Sequence, residues 1–198
     1  MRITPLTEEN AGAWAALFDA SGCSCFCRWW HFMGNKHEWL ARCFEDPARN
    51  RDEQLARVHA GQLEARGLLA MEESEAVGWM KLAPRALLPK LRRQGPYRAL
   101  HLGDDSDPSH PVWSIGCFLV RPDRRRSGVA RALLEAAPDQ VRAWGGRTVE
   151  AYPHRAVHPL RDEEAWMGPE ALFLGLGWKP VHDVAPYPVY RSPPHPNR

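Results

Sequence analysis

The stretch that most restricts the fold is residues 112–134, VWSIGCFLVRPDRRRSGVARALL, where an apolar run meets an arginine-rich turn and then a helical pattern. Val112 to Val120 is apolar almost throughout and carries β-branched Val112, Ile115 and Val120, as expected of a strand covered on both faces. Beyond the turn, Ala130, Leu133, Leu134, Ala137, Val141 and Trp144 recur at helical spacing until Gly145 and Gly146 stop the helix. Pro138 lies inside this helix and predicts a kink. A central strand feeding directly into a helix demands a mixed α/β architecture.

The rest of the chain is consistent with that demand. ITPLT, residues 3–7, predicts a short strand, and Thr7 with Asn10 opens a helix in which Ala11, Trp14, Ala15 and Phe18 share a face. CSCFCRWWHF, residues 23–32, predicts an extended or irregular segment, and a polar helical region follows over 38–65, divided at Pro47. Two apolar runs around the acidic turn EESE predict a hairpin with residues 77–82 as its second strand. Residues 86–111, rich in Arg, Pro, Gly and Asp, predict a long loop with one helical turn near 87–91. TVEAYP predicts another strand, EEAWMGPEALFLGLG (residues 163–177) a helix ending at Gly177, and residues 178–190 a closing pair of strands. The sheet is expected to be mainly antiparallel in its first half, and there is no internal repeat.

At the turn, the first N–H groups of the helix have no intrahelical partners. Gly128 lets a ligand approach the main chain, Ser127 and Ala130 keep that surface open, and Arg125 and Arg126 add to the positive helix end. The turn thus suits a compact polyanion such as a nucleotide pyrophosphate. The competing reading is a solvated arginine turn in which Ser127 only caps the helix. The three glycines of a dinucleotide fingerprint and the Gly-Lys-Ser/Thr of a P-loop are both missing. Nucleic-acid binding through Arg121, Arg124, Arg125 and Arg126 is a further alternative, opposed by a net charge of only +2 and by the lack of aromatic residues beside the arginines.

With 198 residues, one domain over residues 1–191 is expected, followed by a frayed tail at 192–198. No run approaches the ~20 apolar residues of a membrane span, and MRITPLTEEN lacks a signal-peptide layout, so a soluble, cytoplasmic protein is expected. Five cysteines, an odd number, are expected to be free thiols.

Arg125-Arg126-Ser127-Gly128-Val129-Ala130 resembles the acetyl-coenzyme A signature of the GNAT N-acetyltransferases, Arg/Gln-x-x-Gly-x-Gly/Ala. Val120-Arg121-Pro122 is similar to the family's preceding Val-x-Pro, and LFLGLGW to its Phe-Tyr-x-x-x-Gly-Phe phrase. The likeness runs in order from about Arg2 to Arg191. It implies a GNAT fold: a mixed central sheet with a splayed pair of strands and flanking helices. It also implies acetyl-CoA as cosubstrate, with its pyrophosphate on Arg125, Arg126, Ser127, Gly128, Val129 and Ala130. The pantetheine arm would lie along the backbone of Phe118, Leu119 and Val120, opposite a partner strand over Val149 to Tyr152. The implied reaction is direct acetyl transfer to the amine of a small-molecule or peptide acceptor, a main-chain N–H on the central strand polarising the thioester oxygen. A binding protein that holds acetyl-CoA without turnover is the alternative. The family commonly protonates the departing thiolate with a tyrosine, whose place here falls to Phe173, which cannot donate.

Glu150 and Tyr152 alternate onto one face of the partner strand. Either both reach the cleft, Glu150 as base and Tyr152 as hydrogen-bond donor, or Glu150 pairs with an arginine and Tyr152 packs in the core. His154, just beyond, is a further candidate proton acceptor. Cys23, Cys25 and Cys27 with His31 offer soft ligands, but Cys-x-Cys spacing departs from structural zinc sites, and no metal is expected. Packed apolar cysteines are the favoured reading. Trp29, Trp30 and Phe32 either border the acceptor cleft, as this region does in the family, or cover the core.

Overall fold

A computed structural model of the protein describes residues 1–93, 95–98, 111–158, 160–162 and 164–194. Strand β1 (Arg2–Pro5) leads through a 3-10 turn at Glu8–Asn10 into helix α1 (Ala11–Ala20). Helices α2 (Lys36–Glu45) and α3 (Pro47–His59) follow, then the hairpin β2 (Gly67–Glu72) and β3 (Glu75–Pro84). Short helices α4 (Pro89–Arg93) and α5 (Gly95–Arg98) precede β4 (Val112–Val120), α6 (Val129–Ala143) and β5 (Thr148–Ala151). Helix α7 (Glu170–Leu174) and strands β6 (Lys179–His182) and β7 (Val189–Arg191) complete the described chain.

The break at Pro47 has a local cause. Asp46 accepts a hydrogen bond from the Arg49 N–H, and Pro47 takes the first helical position, where a missing N–H costs nothing. Asn35 and Glu38 form a reciprocal capping box that starts α2.

One seven-stranded sheet has the order β1-β2-β3-β4-β5-β7-β6. All neighbours are antiparallel except β4 and β5. Helix α6 packs Leu133, Leu134, Ala137 and Val141 against Leu68, Ala70, Met80, Leu82 and Ile115 on one face. On the other face Trp14, Leu17 and Phe18 of α1 meet Phe26, Leu69 and Trp79. Phe18 is fully buried, a transfer worth about 2 kcal/mol. The two faces draw on alternating residues of β2 and β3, as the period-two pattern of a doubly covered sheet requires.

The structure corrects one element and divides another. Of the helix expected over 163–177, Glu170–Leu174 is the part that forms among the described residues, because Gly168 adopts a left-handed φ of +83° and Pro169 brings no N–H to a helix. The expected loop over 86–111 contains α4 and α5, and residues 94 and 99–110 lie outside the described residues. In the expected tail, Ser192 still donates its N–H to the Val149 carbonyl at 3.0 Å, and residues 195–198 lie outside the description. Helix α6 is continuous through Pro138. No helix among the described residues is long and apolar enough to cross a membrane.

Candidate functional site

Strands β4 and β5 pair only at Val112 with Thr148, Trp113 with Val149 and Ser114 with Glu150. Beyond that apex β4 runs on to Val120 without β5 beside it, so a gap opens inside the sheet. A bulge accompanies the divergence: Leu82 faces Ile115 and Lys81 faces Cys117, leaving Gly116 as the extra residue. The Gly116 carbonyl accepts a hydrogen bond from Trp30 Nε1 at 2.7 Å. A Cβ there would sit 3.0 Å from the same nitrogen, a tight contact that would push the indole by a few tenths of an ångström.

The next groups facing the gap are also engaged. The Phe118 N–H donates to the Trp166 carbonyl at 2.7 Å, and Arg125 Nε donates to the Val120 carbonyl at 3.3 Å. Backbone alternation turns Leu119 the other way, toward Trp79 on β3. Of the three edge residues expected from the sequence, Phe118 and Val120 therefore present main-chain groups to the gap, and Leu119 contributes a side chain to the cleft wall. An uncovered main-chain edge inside a sheet is costly, and the Trp166 carbonyl relieves it at Phe118.

The arginine turn emerges at the mouth of this gap. Arg126 and Gly128 adopt left-handed φ values of +59° and +89°, which folds residues 125–128 back on themselves before α6. The Ala132 N–H is bonded to the Gly128 carbonyl, so the N–H groups of Val129, Ala130 and Arg131 precede the first intrahelical acceptor. A Cβ built on Gly128 has no neighbour within 4 Å, which leaves the main chain open to a ligand. Ser127 is not the cap: Gly128 holds that position, and Ser127 Oγ donates to the Arg124 carbonyl at 2.6 Å. Arg121 pairs with Glu75 and Asp123, Arg124 with Glu72 and Asp123, and Arg125 with Asp162 at 2.6 Å. Arg126 is exposed with no ion-pair partner among the described residues, so its charge adds to the helix end. A turn with open main chain and one free guanidinium fits a pyrophosphate, whereas the three neutralised arginines make a poor strip for a nucleic-acid backbone.

Gap and turn open into one cleft of about 640 Å³. Its lining includes Phe118, Val120, Arg125, Ala130, Asp162 and Trp166, together with Cys23, Cys25, Trp29, Lys36, Trp39 and Leu40. Trp29, one of the aromatics expected at this cleft, is in the lining, while Trp30 is buried behind it against Trp166 at 5.6 Å. Lys36, Trp39, Asp162 and Trp166 were not singled out from the sequence. Trp166 lies in a stretch that reads as a helix, and only the Gly168-Pro169 pair signals otherwise.

Glu150 and Tyr152 do share a face, and the structure joins them, but away from the cleft. Glu150 is 1% exposed, its Oε2 bonded to Arg85 at 2.8 Å and to the Tyr152 hydroxyl at 3.1 Å, its Oε1 to Arg191 at 2.8 Å. The Tyr152 hydroxyl also meets Ser114 Oγ at 2.7 Å, and its ring packs among Trp30, Tyr97 and Val189. Burial, with the Glu150 charge beside it, pushes the Tyr152 phenol well above its usual range. Both carboxylate oxygens are thus engaged inside the protein and neither is aimed at the cleft. The network sits on Ser114 and Glu150, the last paired position of β4 and β5. His154 lies outside the cleft wall, with its ring stacked on Tyr187 at 5.2 Å.

Phe173 is fully buried, with Phe118, Trp178 and Tyr190 around it. The Tyr190 hydroxyl beside it is held by Glu170 at 2.5 Å. All five cysteines are free: Cys23 and Cys25 sulfurs lie 3.5 Å apart, and Cys27 accepts from Trp79 Nε1. Among the described residues, no group of three or more His, Cys, Asp or Glu side chains is placed to hold a metal ion.

A sequence model of the Acetyltransferase (GNAT) family matches residues 30–161, well over half of the chain. Comparison with curated protein sequences finds no match. Among solved structures, the chain is similar to the PaiA N-acetyltransferase of Thermoplasma acidophilum in complex with coenzyme A. That pair has 12% identity and a TM-score of 0.52 over 97% of this chain and 99% of the other. It is also similar to an aminoglycoside 6'-acetyltransferase type Ii, with 16% identity and a TM-score of 0.55 over the whole of both chains. The GNAT domain of S. lividans PAT gives 16% identity and a TM-score of 0.55 over 96% of this chain and 88% of that one. At such identities these likenesses speak for the fold, and the match to the family's sequence supplies the rest: the chain belongs to the GNAT acetyltransferase family.

Proposed function

We propose that the protein transfers an acetyl group from acetyl-CoA to the amine of an acceptor by direct attack. The observation that carries the reading is the gap beyond Ser114 opening beside a turn whose main chain is exposed at Gly128. The Val129, Ala130 and Arg131 N–H groups and Arg126 receive the pyrophosphate, and the Phe118 and Val120 main-chain groups receive the pantetheine arm. Bound acetyl-CoA supplies an activated acyl thioester. The Phe118 N–H is the main-chain donor facing the gap, and it becomes available to a carbonyl oxygen once the Trp166 carbonyl withdraws. Asp162, paired with Arg125, occupies a guanidinium at the mouth of the same gap. Glu150 and Tyr152 hold the apex from which β4 and β5 diverge, and so fix where the Phe118 N–H points.

Acetyl-CoA binding without turnover is the second reading, favoured by Phe173 at the place of the usual tyrosine. Isothermal titration of acetyl-CoA and desulfo-CoA into the wild type, Gly128→Glu and Arg126→Glu tests the site. Binding that weakens at least ten-fold in both variants supports it. Unchanged affinity in Arg126→Glu, whose exposed position makes it safe for folding, removes the pyrophosphate assignment. Release of free thiol from acetyl-CoA in the presence of an amine then separates an enzyme from a sensor.

A further inference from the structure

We infer that the acceptor is a primary amine on a flat, apolar body with no second cationic group. This depends on the proposed donor site, since that reading gives the Phe118, Val120 and Ala130 part of the lining to acetyl-CoA and leaves the rest to the acceptor. Trp29, Trp39 and Leu40 belong to that remaining lining. Its aromatic wall is braced: Trp39 meets Trp29 edge-on at 5.4 Å and Phe32 at 5.2 Å, and is itself only 8% exposed. Such a wall favours a rigid apolar surface over a flexible polar chain.

The charges around it point the same way. The cation–π position over Trp29 is already filled by Lys90, whose Nζ lies 3.5 Å from the ring centroid and 5.1 Å from that of Phe32. Lys36, exposed and without an ion-pair partner among the described residues, adds a second positive charge to the cleft lining. Among the described residues that line the cleft, Asp162 is the one carboxylate, and it is bonded to Arg125. A polycation would therefore meet the Lys36 ammonium in the lining and the Lys90 ammonium packed on Trp29, with no unpaired carboxylate among the described lining residues, despite the chain's structural likeness to an aminoglycoside acetyltransferase.

The same arrangement bears on how the amine becomes a nucleophile. Apolar walls and nearby positive charge both disfavour an ammonium ion relative to the free amine. An acceptor entering here loses its proton to water at the cleft mouth without a carboxylate base, consistent with Glu150 being fully engaged elsewhere.

The test uses the full chain with acetyl-CoA, reading thiol release and the mass of the acetylated product. Tryptamine and phenethylamine are compared with spermidine and kanamycin, for the wild type and for Lys36→Glu, an exposed substitution in the first turn of α2 that suits the helix dipole. The wild type is expected to show kcat/KM at least ten-fold higher for the arylalkylamines, and Lys36→Glu to narrow that ratio several-fold by improving spermidine. A wild type that prefers spermidine or kanamycin, or a ratio that Lys36→Glu leaves unmoved, overturns the inference. Calorimetry with acetyl-CoA on the same samples separates the two levels. Binding with none of these amines acetylated sinks the acceptor assignment and leaves the donor site standing, whereas absence of binding removes both.

Discussion

At the residue scale the buried ion network decides what Glu150 can do. A carboxylate bonded to Arg85, Arg191 and the Tyr152 hydroxyl holds two guanidinium groups in place at the apex of the gap. Glu150→Gln keeps the shape of the side chain but takes a negative charge out of this buried network, and we expect it to destabilise the fold by about 3 kcal/mol. Tyr152→Phe, which removes one hydroxyl, is expected to cost about 1 kcal/mol. Urea denaturation of both variants checks this. A stable Glu150→Gln with lost turnover and a shifted pH profile would return Glu150 to the role of base. His31 gives a second prediction. Its side chain is 5% exposed, and burial, followed by the charges of Lys81, Arg28 and Arg57, lowers its pKa to about 2. The folded protein then keeps His31 neutral where the unfolded chain binds a proton. The stabilisation is complete above about pH 6.5, the unfolded value, and is lost progressively as the pH falls below it. Between pH 7 and 5.5 the wild type should lose about 1 kcal/mol more than His31→Gln; equal losses in parallel urea titrations would refute the assignment.

At the element scale, residues 164–169 are the least expected part of the described chain. Trp166, Met167, Leu172 and Phe173 repeat at a spacing that reads as a helix from sequence, and the Gly168-Pro169 break counts against that pattern too weakly to be decisive. What local pattern cannot convey is that β4 lacks a neighbour beyond Ser114, so that the Trp166 carbonyl has a strand N–H to meet. The turn, by contrast, was readable, because glycine before a helical repeat constrains the backbone without help from distant residues. There the competing reading of Ser127 as the cap does not hold, because the left-handed Gly128 takes that place. The Trp166 carbonyl and Asp162 compete with the donor for Phe118 and Arg125, which gives a directional prediction. The Arg125–Asp162 pair has side-chain exposures of 37% and 55%, so its strength is that of a surface pair, at most about 1 kcal/mol. Asp162→Asn should therefore bind acetyl-CoA up to about five-fold more tightly than the wild type. Weaker binding in that variant, measured by titration calorimetry, would make Asp162 part of the donor site instead of its competitor.

At the scale of the whole molecule, the sheet divides into two blocks, β1-β2-β3-β4 and β5-β7-β6, joined in the ladder by the three pairings between β4 and β5. The first block was legible because its strands are neighbours in chain order and apolar, with the acidic turn over 72–75 marking the β2–β3 reversal. The second was less so: β7 inserts between β5 and β6, a long-range choice made by packing of Phe173, Trp178 and Tyr190 beneath the sheet. The short seam has a mechanical consequence. A donor lying between β4 and β5 bridges the two blocks, whereas the hairpin β2–β3 is fully paired without it. Saturation at a hundred times the dissociation constant should stabilise the fold by about 2.7 kcal/mol, a rise in Tm of roughly 5–10 °C for a chain of this size. Hydrogen exchange should localise the gain. Amides of β5 and β7, which the seam attaches weakly, are expected to slow by more than those of β2 and β3, and Arg126→Glu should abolish both effects at the same ligand concentration. A uniform slowing across all seven strands would mean that the two blocks already unfold as one unit and that the ligand acts on global stability alone. A slowing confined to the turn before α6 would place the ligand on the arginines without entering the gap.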